Sequence, residues 1–128
     1  MSSWTGLLLA GLFVLMSASC AGKPRPAAGP APLDEPALMV ELRSSVKAAP
    51  EKALALADEA EQRFGDSSFA EERGALAIRA LINLQRIGAA RSRAYAFLER
   101  YPRGPYTAEV EAWTGVHVTP GAPQRKRE

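Results

Sequence analysis

The chain has 128 residues, with 16 Lys+Arg against 14 Asp+Glu, one cysteine and one histidine, which is room for one small domain and its appendages. A single cysteine excludes an intrachain disulfide framework, and one His with one Cys supplies neither a metal-ligand set nor a Cys–His nucleophile pair. All 30 charged residues lie from Lys23 onward, so the chain is not one uniformly patterned globular unit.

Residues Gly6 to Ala18 form a 13-residue apolar run, GLLLAGLFVLMSA. A membrane-spanning helix needs roughly 20 such residues to cross ~30 Å of hydrocarbon, whereas this run has the length of a secretory h-region. The alternative, an apolar helix docked on the domain, sits poorly with the Pro-rich stretch behind it. Ser17-Ala18-Ser19-Cys20 resembles the lipobox of bacterial lipoproteins. Small residues at Ala18 and Ser19 match the narrow peptidase pocket of that family. Ser17 stands where the family usually has Leu, and Met1 to Thr5 carries no Lys or Arg. The resemblance implies that residues 1–19 are a signal segment and that Cys20 is diacylated and becomes the new N-terminus. Two other readings stay open: ordinary secretory cleavage near Ala21, which discards Cys20, and a spare free thiol in the core.

From Ala21 to Pro36 the sequence reads AGKPRPAAGPAPLDEP, with five prolines. Proline fixes φ and removes amide donors, so residues 20–36 are expected to be a semi-extended tether that holds a domain off a bilayer. The domain itself is expected over 37–116. Asp34 is a candidate N-cap, and Leu38, Leu42 and Val46 recur at helical spacing. Pro50 breaks that helix and suits the first turn of the next. The second helix places Ala53, Leu56, Ala57, Ala60 and Phe64 on one face and ends at Gly65.

A third helix is expected from about Phe69 to Ile87. Ser68 and Glu71 have capping-box spacing at its start, and Gly88 is expected to close it. It is apolar on most sides through Ala75, Leu76, Ala77, Ile78, Leu81, Ile82 and Leu84, as a helix between neighbours is. A fourth helix carries Ala90, Ala94, Phe97, Leu98 and Tyr101 on its face and stops at Pro102-Arg103-Gly104-Pro105. Tyr106, Val110 and Trp113 predict a short fifth helix. No segment alternates with period two, so no sheet is expected. Residues 117–128, ending in Gln-Arg-Lys-Arg-Glu, read as a disordered tail.

Sliding the chain by 37 residues superposes Arg63-Phe64 on Arg100-Tyr101, Phe69 on Tyr106, Glu72 on Glu109, and Ala53 and Ala57 on Ala90 and Ala94. Ala90, Ala94, Phe97 and Tyr101-Pro102 resemble the second helix of a tetratricopeptide (TPR) repeat with its closing proline. Taken with the lipobox, Asp34 to Val116 is similar to the outer-membrane assembly lipoproteins of the BamD type. The resemblance implies an all-α fold of two stacked antiparallel helical hairpins plus a capping helix, whose surface binds another protein.

No glycine-rich phosphate loop and no GxSxG are present. Asp58, Glu59, Glu61, Glu71 and Glu72 read as a solvated helix face, since nothing nearby in sequence would raise a carboxylate pKa. No catalytic residue, cofactor or metal is expected. Charge is more informative. Glu51 to Glu72 holds seven acidic and two basic residues, while Arg73 to Arg103 holds seven arginines and one acid. Arg79, Arg86, Arg93 and Arg100 recur every seven residues, and Arg79 and Arg86 are expected to share a helix face. One reading is surface solvation with cross-helix ion pairs, each worth less than ~1 kcal/mol. The other is a two-toned surface that orients a partner or a second copy, with Arg79, Arg86 and Arg93 as candidate partner-binding residues. Nucleic acid is not expected, because interleaved stacking aromatics are missing and an exported chain would not meet it. The function expected is a lipid-anchored envelope adaptor facing the periplasm at the outer membrane and binding another protein. The alternative is a structural or self-associating lipoprotein without a specific groove.

Overall fold

A computed structural model describes residues 31–119. The expected signal segment, Cys20, the tether as far as residue 30 and the tail from Pro120 lie outside the described residues. Five helices follow one another: α1 Glu35–Ala48, α2 Pro50–Phe64, α3 Ala70–Asn83, α4 Ile87–Arg100 and α5 Thr107–Thr114. No strand occurs among the described residues, and none of their helices is long and apolar enough to cross a membrane.

Local chemistry explains most of the boundaries. The Asp34 carboxylate accepts the Ala37 N–H at 3.0 Å and opens α1, satisfying one of the amides the first turn leaves unpaired. Ala49 alone separates α1 from α2, and Pro50 occupies the first turn of α2, where its missing N–H costs nothing. Gly65 ends α2 at φ +47°, in the left-handed region that favours glycine.

The third helix differs from expectation at both ends. No side chain caps its start, and Phe69 is the N-cap residue. The Ser67 hydroxyl, not Ser68, accepts the Phe69 N–H at 3.2 Å, so the Ser68–Glu71 capping box does not form. At the other end α3 stops at Asn83 rather than running to Ile87. Gln85 takes a left-handed φ of +58°. The Arg86 N–H bonds Leu81 O and the Gln85 N–H bonds Ile82 O, both at 2.9 Å, the paired bonds of a Schellman closure. Gly88 instead lies inside the first turn of α4. Asn83 donates from Nδ2 to the Val46 carbonyl at 2.7 Å, which holds this turn against the end of α1.

Two apolar clusters meet at α3. Ala75, Ile78 and Leu81 join Ala90, Ala94, Phe97 and Leu98 of α4, with Val110 and Val116 from the C-terminal end. Ala77 and Ala80 join Met39, Leu42 and Val46 of α1 with Ala53 and Ala57 of α2. This double duty explains why α3 is apolar on most of its circumference. Fully buried alanines at 53, 57, 60, 77, 80, 90 and 94 let the helix axes approach closely. Helix α3 packs against all four others. The backbones of α2 and α4 do not contact each other. Val118 is half-buried against the core, so packed chain extends into the segment expected to be tail.

Candidate functional site: the seam between α2 and α4

Because α2 and α4 flank α3 without backbone contact, a seam remains between them, floored by α3. Gly74 forms part of that floor. A Cβ at this position would come within 3.0 Å of the Phe97 ring, so the missing side chain is what lets Phe97 approach α3 this closely. Two adjoining depressions follow the seam. One, ≈ 240 Å³, is lined by Glu61, Gly74, Arg93, Ala96 and Phe97. The second, ≈ 490 Å³, lies among Asp66, Ser67, Ser68 and Glu71. Ala70, Arg100 and Tyr101 line both.

The rim carries both signs of charge. Arg93 Nη2 donates to Asp58 Oδ1 at 2.8 Å. Arg100 pairs with Asp66 and reaches Glu61 at 3.8 Å. Tyr101 stacks obliquely on Phe97, with ring centroids 5.1 Å apart. The Arg100 and Asp66 side chains are 46% and 85% exposed. Such ion pairs exchange readily for others of similar strength.

Beneath the seam lies a residue that sequence reading did not single out. Arg73 is 1% exposed and is surrounded by acceptors. Its guanidinium donates to Glu61 Oε2 at 2.6 and 3.1 Å, to Glu35 Oε1 at 3.0 Å, and to the Gly65 carbonyl at 2.5 Å. Ser67, which also hydrogen-bonds Glu35, lies 3.4 Å from it. One side chain thereby joins the start of α1, the end of α2 and the turn into α3. A signal was present in the sequence: Arg73 falls in helical register with Ala70, Ala77 and Ala80, on an otherwise apolar face.

Glu71 has an analogous task one hairpin later. Its carboxylate packs against Gly104, where any Cβ would overlap it, and accepts the Tyr106 N–H at 3.3 Å. Glu35 at the start of α1 receives the turn before α3, and Glu71 at the start of α3 receives the turn before α5. This engagement also explains why Glu71 is not free to complete a capping box.

The three arginines singled out in sequence are not brought together. Arg79 lies on α3 with its guanidinium 4.9 Å from the centre of the Trp113 ring. Arg86 is exposed at the N-cap of α4, so it does not share a helix face with Arg79. Arg93 alone reaches the seam. The acidic and basic stretches instead meet within one molecule. Arg43 also takes part, gripping Glu72 through two bonds of 2.6 and 2.7 Å, and this bonding raises its pKa.

No protein-family model, no curated protein and no solved structure matches this chain.

Proposed function

We propose that the protein is an envelope adaptor, tethered through Cys20, that binds another protein along the seam between α2 and α4. The observation that carries the binding part is the seam itself. It is an elongated depression with an aromatic and glycine floor and a rim of ion pairs, a half-buried one from Arg93 and an exposed, exchangeable one from Arg100. Such a site suits a polypeptide segment with an apolar residue for the floor and a carboxylate for the rim. The packing of each helix on the next, with α1 and α5 also reaching α3, supports a stack of TPR-like hairpins. The tether rests on the apolar run, the small residues before Cys20 and the prolines after it.

A photo-crosslinking residue at Ala96, inside the seam, should capture one dominant envelope protein in living cells. The same residue at Ser44, on the exposed side of α1, should not. Arg93→Glu together with Arg100→Glu should abolish the Ala96 product while preserving helical circular dichroism. Identical products from both positions would refute a specific seam. Separately, a fatty-acid analogue should label wild type and not Cys20→Ala, and equal labelling would refute the anchor.

A further inference from the structure

Four large hydrophobic residues are exposed among the described residues, and two of them, Ile87 (46%) and Tyr95 (51%), stand on α4. With the exposed Arg91 and Glu99 they form a ridge at four-residue spacing, Ile87–Arg91–Tyr95–Glu99, along one side of the helix. The other side of α4 carries Arg93 and Arg100 and faces α2. On α2, Leu54 and Asp58 receive α4: Leu54 packs on the cluster that contains Ala90 and Ala94, and Asp58 accepts from Arg93. The 37-residue offset places Arg91 and Tyr95 at the equivalent positions of α4. This is the side on which the repeat would seat another helix, yet among the described residues only the backbones of α3 and α5 contact that of α4, and the ridge stays exposed.

The order of side chains along the ridge identifies an occupant. An isologous two-fold contact requires that residue i meet j and that j meet i. Read backwards about Tyr95, the ridge is its own charge complement: Arg91 falls opposite Glu99, and Glu99 opposite Arg91. A parallel pairing would set Arg91 against Arg91. We propose that α4 docks antiparallel on α4 of a second copy, about a two-fold axis at Tyr95. The two phenol rings meet at the centre, and two Arg91–Glu99 pairs flank them, each Glu99 carboxylate adding the opposite Arg91 to the interaction it already has within its own chain. Ile87 of each copy covers the end of the opposite helix. A single ridge makes a contact at the small end of the interface range, below about 1,200 Å², so the dimer depends on concentration. The surface lies on the opposite side of α4 from the seam, so dimerisation and partner binding stand or fall separately.

The test uses the full chain in detergent with Cys20→Ser, which removes the native thiol. Tyr95→Cys should crosslink between copies on mild oxidation, because the axis brings the two positions within disulfide reach. Ile87→Cys should not, because eight residues set it ~12 Å from the axis and ~24 Å from its counterpart. In sedimentation equilibrium, with Tyr95 retained, Arg91→Glu should weaken the dimer by at least about tenfold through like-charge opposition. Adding Glu99→Arg should restore it. All four positions are exposed, so helical circular dichroism should remain that of wild type. A monomer at every concentration would overturn the proposal. So would equal crosslinking at both cysteine positions, a double reversal that fails to restore association, or a different envelope protein as the sole crosslinked species at Tyr95.

Discussion

Arg73 Nη2 lies 2.6 Å from Glu61 Oε2, at the centre of the one buried charge among the described residues. Glu35, on its other side, is itself only 14% exposed. Removing Arg73 leaves the Glu35 carboxylate without compensation in a place water barely reaches, while Glu61, 46% exposed, keeps much of its hydration. Arg73→Ala should therefore cost about 3–5 kcal/mol in urea denaturation, a large part of the ~5–15 kcal/mol available to a domain. Arg73→Lys should recover little, because a single ammonium cannot reproduce the planar fork of five donors. Full stability in Arg73→Lys would show that charge alone, without the fork, organises this corner.

Gly104 and Glu71 make one contact between them, so their variants should not add. Gly104→Ala drives the carboxylate off the Tyr106 N–H, and Glu71→Ala removes it outright. Each should destabilise by about 1–2 kcal/mol, the usual result of stranding a partly buried donor. The double variant should be close to the worse single one, leaving a coupling energy of order 1 kcal/mol. Strict additivity in thermal melts would mean that the two act independently.

Gln85 occupies a left-handed conformation that the Schellman closure requires and that costs a residue with a Cβ roughly 1–2 kcal/mol. Gln85→Gly relieves that cost, which exceeds the extra chain entropy a glycine loses on folding, about 0.5–1 kcal/mol. The net expectation is a stabilisation of about 0.5–1 kcal/mol, a rise of roughly 2–8 °C in Tm for a domain of this size. Gly88→Ala, inside α4 with open space where the Cβ would go, should also stabilise slightly by helix propensity. A drop in Tm for Gln85→Gly would contradict the observed position of the turn.

Leu81 is 3% exposed and Phe97 5% exposed, and they belong to the same cluster on neighbouring helices. Truncating either to Ala should cost about 2–5 kcal/mol through lost burial and the cavity left behind. Loss of cooperative thermal unfolding would be the extreme outcome. A melt within a degree or two of wild type would place that residue outside the core.

Burial raises the Tyr106 phenol above its ordinary value of 10.0. The Glu72 charge adds to the rise and Arg43 opposes it. The folded state therefore holds this proton more tightly than the unfolded state does. Its contribution to stability is complete below the unfolded value, ~10, and is lost as pH rises through the higher folded value. Urea midpoints of Tyr106→Phe should thus fall less steeply than those of wild type above pH ~10, with no such difference in slope near pH 7. Parallel curves throughout would show that the phenol does not titrate differently in the two states.

What the residues determined on their own is local. Helical spacing of Leu38, Leu42 and Val46, the Asp34 cap, Pro50 at a first turn and Gly65 at a last one each act within a few residues of chain. An all-α reading therefore follows without tertiary knowledge, and so does the 37-residue correspondence between α2 and α4. Neighbours some 30 positions away decided the rest. Glu71 has the spacing of a capping box, yet it serves Tyr106, 35 residues on. Gln85 takes the turn that Gly88 was expected to make, next to an Asn83 side chain held by the Val46 carbonyl. Arg73 looked like one arginine among seven until Glu35 and Glu61 closed around it. Arg79, Arg86 and Arg93 share a heptad interval, but the break after Asn83 sends them to three different surroundings. Periodicity records which side of a helix is apolar. Only packing determines which distant carboxylate, carbonyl or ring waits on that side, because those energies depend on contacts that the local chain does not contain.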